Sequence, residues 1–356
     1  MKRLINLKRP EARRVYGTYA LVTLAYVILQ IMISTRTLSS SIKGMLVPIC
    51  AYMVMAVALN LVVGVLGELS LGHAGFMSVG AFTGVACAIL LQDLVPLAPL
   101  RLSVSMAAGA ASAALAGFLI GIPVLRLKGD YLAIVTLAFG EIIKSVLNNF
   151  YMGVDKAGLH FSMLSDKTGL APGGRLIVGG PMGIGGIRKI ATFGTGFALV
   201  MIALVVVYNL INSRLGRAFQ AVRDDRIAAE SVGIDVTRYK MTAFVVSAAL
   251  AGAAGCLFAM NYSTIVANKF DFNTSILILV FVVLGGQGNM LGSIVAAAAL
   301  TILPEKLREF RDYRMLIYAV LLIAIMLGSN NAAVRNFFAR LKLFGPKAEE
   351  ETFHGH

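Results

Sequence analysis

Apolar stretches long enough to cross a membrane recur along this chain, and no other feature limits its fold as much. A helix crossing a hydrocarbon core of about 30 Å needs roughly 20 apolar residues. Such stretches run near 17–33, 42–66, 72–92, 103–125, 131–151, 193–212 and 241–262; a Gly-interrupted one covers 272–303 and a last one 314–328. In lipid the backbone must satisfy itself, and stretches of this length do so as helices. The expected fold is therefore all-α: a polytopic integral membrane protein of about 8–10 transmembrane helices with Gly-broken or re-entrant segments. Composition agrees. Hydrophobic residues make up 58% of the chain and charged residues 14%, against about 25% charged in soluble domains. Cys50, Cys87 and Cys256 all lie inside apolar stretches without C-x-x-C spacing. They read as small packed hydrophobes, not as a disulfide framework or a zinc site.

The net charge is nevertheless +14. Alternating the spans from a cytoplasmic N-terminus gathers eighteen bases on the inside and leaves nine outside. Inside fall Lys2, Arg3, Lys8, Arg9, Arg13, Arg14, Arg126, Lys128, the six bases of 213–240, and Arg335, Arg340, Lys342 and Lys347. Positive charge collects on the cytoplasmic side, so the orientation follows. No small-residue cleavage site follows the first span, which reads as an uncleaved helix. The chain then divides into a basic cytoplasmic N-terminus (1–16), a transmembrane domain (17–328) and a cytoplasmic tail (329–356). Within the domain, 152–192 is a Gly- and Pro-rich outside loop and 213–240 a charged cytoplasmic loop. Returning the tail inside requires a break in 272–303, where Gly285, Gly286, Gly288 and Gly292 make one natural; 304–314 then lies outside and adds Lys306, Arg308, Arg311 and Arg314 to the nine, partly offset by Glu305, Glu309 and Asp312.

Several activities are excluded by absence. The sequence has no G-x-x-x-x-G-K-[ST] phosphate loop, no G-x-S-x-G elbow and no H-E-x-x-H pair, hence no catalytic constellation of those kinds. The Gly179–Gly186 string follows no βαβ pattern and is interrupted by Pro181, so it reads as a turn-rich loop. No metal site is expected, since His354 and His356 lack other ligands. In 213–240 the bases alternate with Asp224, Asp225, Glu230 and Asp235, a mixture suited to a protein partner and not to nucleic acid.

Two Gly-rich strings, 64–75 and 284–293, interrupt apolar stretches. Backbone freed from a helix at membrane depth is tolerated where protein or a water-filled cavity satisfies it. Ser70, Gly72, His73, Gly75, Gly285, Gly286 and Gly288 are thus candidates for a translocation path; close helix packing is the other account of the glycines. Charged or titratable residues at depth are His73, Glu68, Asp130, Glu141 and Lys144. Glu141 and Lys144 stand three apart on one helix, within pairing reach. His73 is either a proton relay or a hydrogen-bonded residue at a helix start. In the cytoplasmic loop, 216–233 reads as a short helix stopped by Gly233. Phe219, Val222 and Arg226 share a face that suits the membrane surface or a groove on a partner.

Ala228-Ala229-x-x-x-Gly233 is similar to the E-A-A-x-x-x-G loop of bacterial ABC importer permeases, with Ile227 in place of the Glu. The wider string from Arg223-Asp224-Asp225 to Lys240 resembles the branched-chain amino-acid permeases. So do Leu69-Ser70-Leu71-Gly72-His73-Ala74-Gly75-Phe76, Leu127-Lys128-Gly129-Asp130-Tyr131 with Gly140-Glu141-Ile142, Gly180-Pro181-Met182-Gly183-Ile184, and Leu284-Gly285-Gly286. The Lys-Gly-Asp-Tyr and Gly-Pro-Met-Gly-Ile strings favour the LivM type over its LivH-type partner. The resemblance implies an ABC importer permease architecture in the bacterial inner membrane, carrying branched-chain amino acids and not itself an enzyme. It implies a second, LivH-like permease subunit, two ATP-binding subunits and a periplasmic amino-acid-binding protein. No cofactor is expected on this chain; ATP and Mg belong to the partner subunits. Gly216, Arg217, Phe219, Val222, Arg223, Asp224, Arg226, Ala228, Ala229 and Gly233 are the implied ATPase-coupling residues. The same architecture importing urea or short amides, or an ion-coupled carrier working alone, are the alternatives.

A cysteine placed within 345–356 is expected to react with an impermeant thiol reagent only from the cytoplasmic side. Labelling from the outside alone would overturn the topology.

Overall fold

A computed structural model describes residues 10–37, 39–92, 94–127, 129–155, 158–163, 174–307, 313, 316, 317, 319, 320 and 323. Outside the described residues lie Lys2, Arg3, Lys8, Arg9, Lys128, most of the expected span 314–328, and the tail with its bases and histidines. The side chains of Arg13 and Arg14 are outside them as well. The chain forms two compact units, Met1–Ile302 and Leu303–His356. The described residues of the second are helical, and the first holds the elements that position the site.

The helices are α1 (Pro10–Ser34), α2 (Ser40–Asn60), α3 (His73–Leu90), α4 (Ala98–Val124) and α5 (Asp130–Asn148). A sheet of β1 (Phe150–Asp155), β2 (Gly158–Met163) and β3 (Arg175–Gly179) comes next. Then come α6 (Phe193–Ile211), the short α7 (Arg214–Asp224) and α8 (Arg226–Ser231), α9 (Val236–Ala259), α10 (Phe272–Gly285) and α11 (Met290–Lys306). Seven helices among the described residues are long and apolar enough to cross a membrane: α1, α2 with the turn after it, α3, α4, α6, α9, and α10 with the turn before it. The expectation of about 8–10 therefore separates into these seven plus α5 and α11. α5 carries Asp130, Glu141 and Lys144 in 19 residues, and α11 has 17 residues. The expected break in 272–303 falls at 286–289, between α10 and α11.

α2 is the hub. Its span is 89% buried inside the protein, against 11% for α1, which rests on α6 and turns Leu24, Val27, Ile28 and Ile31 outward. α3, α4 and α9 pack on one another by backbone approach at small residues. A Cβ on Gly252 of α9 would collide with Gly109 and Ala113 of α4, and one on Gly80 of α3 would strike Gly252. Where lipid supplies no hydrophobic drive between helices, such contact lets dispersion hold them together.

The segment 152–192, expected as a loop, contains the sheet, a correction to that reading. Its strand order is β2-β1-β3, all antiparallel, with Phe150 opposite Met163 and Tyr151 opposite Gly179. Runs of 5 or 6 residues rich in Gly carry too little period-2 signal to stand out. Ile184 and Ile265 exchange backbone bonds of 2.9 and 3.0 Å, joining this region to the α9–α10 connection.

Gly252→Leu should overpack the α3–α4–α9 crossing and destabilise the protein by roughly 1–3 kcal/mol or more. A lowered melting temperature in detergent reads this out; an unchanged one would show that the crossing can spread.

Candidate functional site

α2 ends as a π-helical turn, Leu61–Val65, and the chain then runs without helix from Gly67 to Gly72 before α3 begins. The groups freed there are met by side chains from three other helices. Thr136 Oγ1 of α5 accepts from Leu71 N at 3.0 Å, and Ser275 Oγ of α10 accepts from Ala74 N at 3.3 Å. His73, 1% exposed, stands between Ser70 Oγ (3.3 Å, at Nδ1) and Ser247 Oγ of α9 (2.6 Å, at Nε2). The Ser247 hydroxyl donates to Ala58 O. With its one proton given to Ala58 O, Ser247 accepts from Nε2–H. The chain of bonds ends on a backbone carbonyl, which takes up no proton. His73 is thus a buried, hydrogen-bonded residue at the start of α3.

The two Gly-rich strings meet. Gly64 packs against Gly288, and Asn60 bridges them: Oδ1 accepts from Gly288 N at 2.8 Å while Nδ2 donates to Ser293 Oγ at 2.8 Å. Gly288 has φ +79°, a conformation open to glycine at little cost. Gly285 packs on Gly292 and Ser293 across the α10–α11 turn. Of the path candidates, Ser70, Gly72, His73 and Gly75 are buried, and Gly285, Gly286 and Gly288 line the turn. An open cleft of about 480 Å³ lies beside them, bounded by Val63, Gly64, Gly67, Leu69, Arg223 and Gln287.

The expected single helix 216–233 is two helices with a corner, because the Asp225 carboxylate caps α8 by accepting from Ile227 N (2.8 Å) and Ala228 N (3.0 Å). Capping by Asp favours starting a new helix over continuing the old one. The face expected to meet a partner is turned inward: Gly216, Ala218, Phe219 and Val222 are buried, and Phe219 stands edge-on to Tyr239 of α9. Phe219, Val222 and the buried Ala229 therefore serve the fold, and Arg226 lies across the corner, paired with Glu230 at 2.9 Å. Arg217, Arg223, Asp224, Ala228 and Gly233 remain exposed, as do Ile227 at 80% and Val232 at 75%. Gly233 ends α8 with φ +84°, the left-handed turn that closes helices.

Two links tie this corner to the break. Arg223 Nη1 donates to Gly64 O at 3.2 Å, while its Nε and Nη2 hold Asp224. Lys240, in the first turns of α9, forms a buried ion pair with Glu68 in the non-helical segment. On α5, Glu141 and Lys144 form the expected ion pair. Asn60, Thr136, Lys240, Ser247, Ser275 and Ser293 are the residues that sequence reasoning passed over. For Asn60, Thr136 and Ser247 the available signal is a lone polar residue inside an apolar stretch.

The family profile described as "Branched-chain amino acid transport system / permease component" matches residues 41–326. The chain belongs to this family. It is 37% identical over 316 residues to the high-affinity branched-chain amino acid transport system permease protein LivM of Salmonella typhimurium, covering 84% of this chain and 71% of that one. The LivM of Escherichia coli is 36% identical over the same shares. The LivH permease protein of Escherichia coli is 30% identical over 132 residues, 36% of this chain and 42% of its own. No solved structure matches the chain.

Lys240→Met should leave Glu68 charged without its partner and destabilise by about 3–5 kcal/mol. Adding Glu68→Gln should restore most of that loss. Thermal unfolding of the purified variants in detergent measures both; a double variant as unstable as the single would show the pair to be incidental.

Proposed function

We propose that this chain is one of two membrane subunits of an ATP-driven, binding-protein-dependent importer of branched-chain amino acids in the bacterial inner membrane. The α7–α8 corner carries this reading. One face is locked into the bundle through Phe219 and Val222, and the other offers an apolar pair, Ile227 and Val232, among charges of both signs. In this reading the pair is the apolar centre of a protein contact and the surrounding charges are its polar rim. In this reading an ATPase subunit takes the corner on the cytoplasmic side, a LivH-like subunit completes the path, and a binding protein meets the sheet end. ATP and Mg are handled by the ATPases. The cargo is taken from the names of the LivM relatives and from the chain's mostly apolar interior, which offers aliphatic side chains weak and reversible contact.

Coupling rests on the two links between corner and break. Closure of the ATPases moves the corner; Arg223 carries the movement to the Gly64 carbonyl, and the Lys240–Glu68 pair carries it to the segment before α3. ATP drives the cycle only if it binds one arrangement of the assembly better than the other.

The complex is reconstituted with a LivH-like subunit, ATPases and binding protein, and uptake of leucine and urea is measured side by side. Leucine uptake should require ATP. Ile227→Asp with Val232→Asp should lower it by about tenfold or more, as loss of an interface anchor does, while the subunit remains in the membrane. Uptake without any ATPase subunit would favour a lone carrier, and preference for urea would reassign the cargo.

A further inference from the structure

α5 holds a charged pair on a side that the described residues leave partly uncovered. Of its 19 residues only Leu132, Ala133 and Thr136 are buried. The side chains of Glu141 and Lys144 keep 41% and 23% exposure. With a rise of 1.5 Å per residue, Glu141 stands about 16 Å from the Asp130 end of α5 and about 10 Å from the Asn148 end. Gly75, in the first turn of α3, fits so closely that a Cβ there would lie 2.9 Å from Gly140 Cα. The pair is therefore level with the interruption that precedes α3. Towards the sheet end the polar character continues: Asn148 Nδ2 donates to Asn268 Oδ1 at 2.9 Å. An exposed stripe of Ile134, Ala138 and Ile142 runs along the same helix.

Mutual neutralisation explains why such a pair is tolerated but not why it is there. Two apolar residues would suit lipid better, since charge at this depth costs several kcal/mol per group before pairing offsets it. An amino acid in transit meets the same difficulty. Its α-ammonium and α-carboxylate leave water together, and each needs a partner of opposite charge. Glu141 and Lys144, one helical turn apart, offer both partners at the spacing of neighbours on one face. Each can exchange its present bond for a charge-assisted bond to the cargo, leaving the aliphatic side chain to the Ile134–Ile142 stripe.

We infer that the Glu141–Lys144 pair is the point on the path where the α-ammonium and α-carboxylate of a zwitterionic amino acid are recognised. The inference rests on the proposed importer function and sharpens it, because urea and short amides carry neither charge.

The test uses the reconstituted complex with ATP-dependent leucine uptake as the readout and co-purification with the other subunits as the measure of assembly. The variants are Glu141→Gln, Lys144→Gln and the two together. Each single variant should lose about tenfold in uptake, the size expected from one charge-assisted bond. The double variant decides. It has no unpaired charge, so it assembles, and recognition keeps its uptake about tenfold down. A pair that merely neutralises itself predicts recovery to the wild-type rate, and that recovery overturns the assignment. The conservative Glu141→Asp with Lys144→Arg keeps both charges and should retain most of the uptake; loss equal to that of the double Gln variant would overturn it as well. A wild-type complex without ATP-dependent leucine uptake would instead overturn the importer reading, and the inference with it.

Discussion

Asn60 is the side chain on which the two interruptions depend. Its carboxamide accepts from the Gly288 backbone and donates to the Ser293 hydroxyl, so one residue at the end of α2 holds the turn between α10 and α11. A backbone group left without a partner inside a bilayer costs several kcal/mol. A helix can therefore stop at depth only where another element supplies a donor or acceptor. Thr136 and Ser275 do the same for the start of α3. The helices could not pack in this arrangement without these polar contacts, and the contacts would be exposed without the packing.

The corner formed by α7 and α8 is built on the same logic at the bundle's end. It is amphipathic, but its apolar face is occupied by its own chain. What it can offer a partner is the residue set around Ile227 and Val232. Arg223 and Lys240 make the corner continuous with the interrupted segment after α2. Two charged contacts, and no long relay of side chains, join the two places.

The spans were legible because apolar length is a strong signal, and the Glu141–Lys144 pair because helical spacing is regular. The break between α10 and α11 was legible from its glycines. What stayed hidden depends on distant residues. No local pattern says that Gly64 and Gly288 touch, since 224 positions separate them. The face of Phe219 and Val222 has the periodicity of a docking surface, and only tertiary packing shows that Tyr239 already covers it. The corner itself was readable in principle: Asp225 is a strong cap in the middle of an apparent helix. The sheet was not, because its strands are short and rich in Gly.

The placement of α1 bears on how the molecule is made. Its aromatic contacts are with α6: Tyr26 stacks on Phe197 at 4.0 Å and meets Phe193 at 5.0 Å. During synthesis α6 emerges long after α1, with four helices and the sheet made in between. Throughout that interval α1 is surrounded by lipid alone and must be stable there unaided. Its outward Leu24, Val27, Ile28 and Ile31 are what a lone helix in a bilayer needs, so the order of translation, as much as the finished packing, accounts for how oily that helix is.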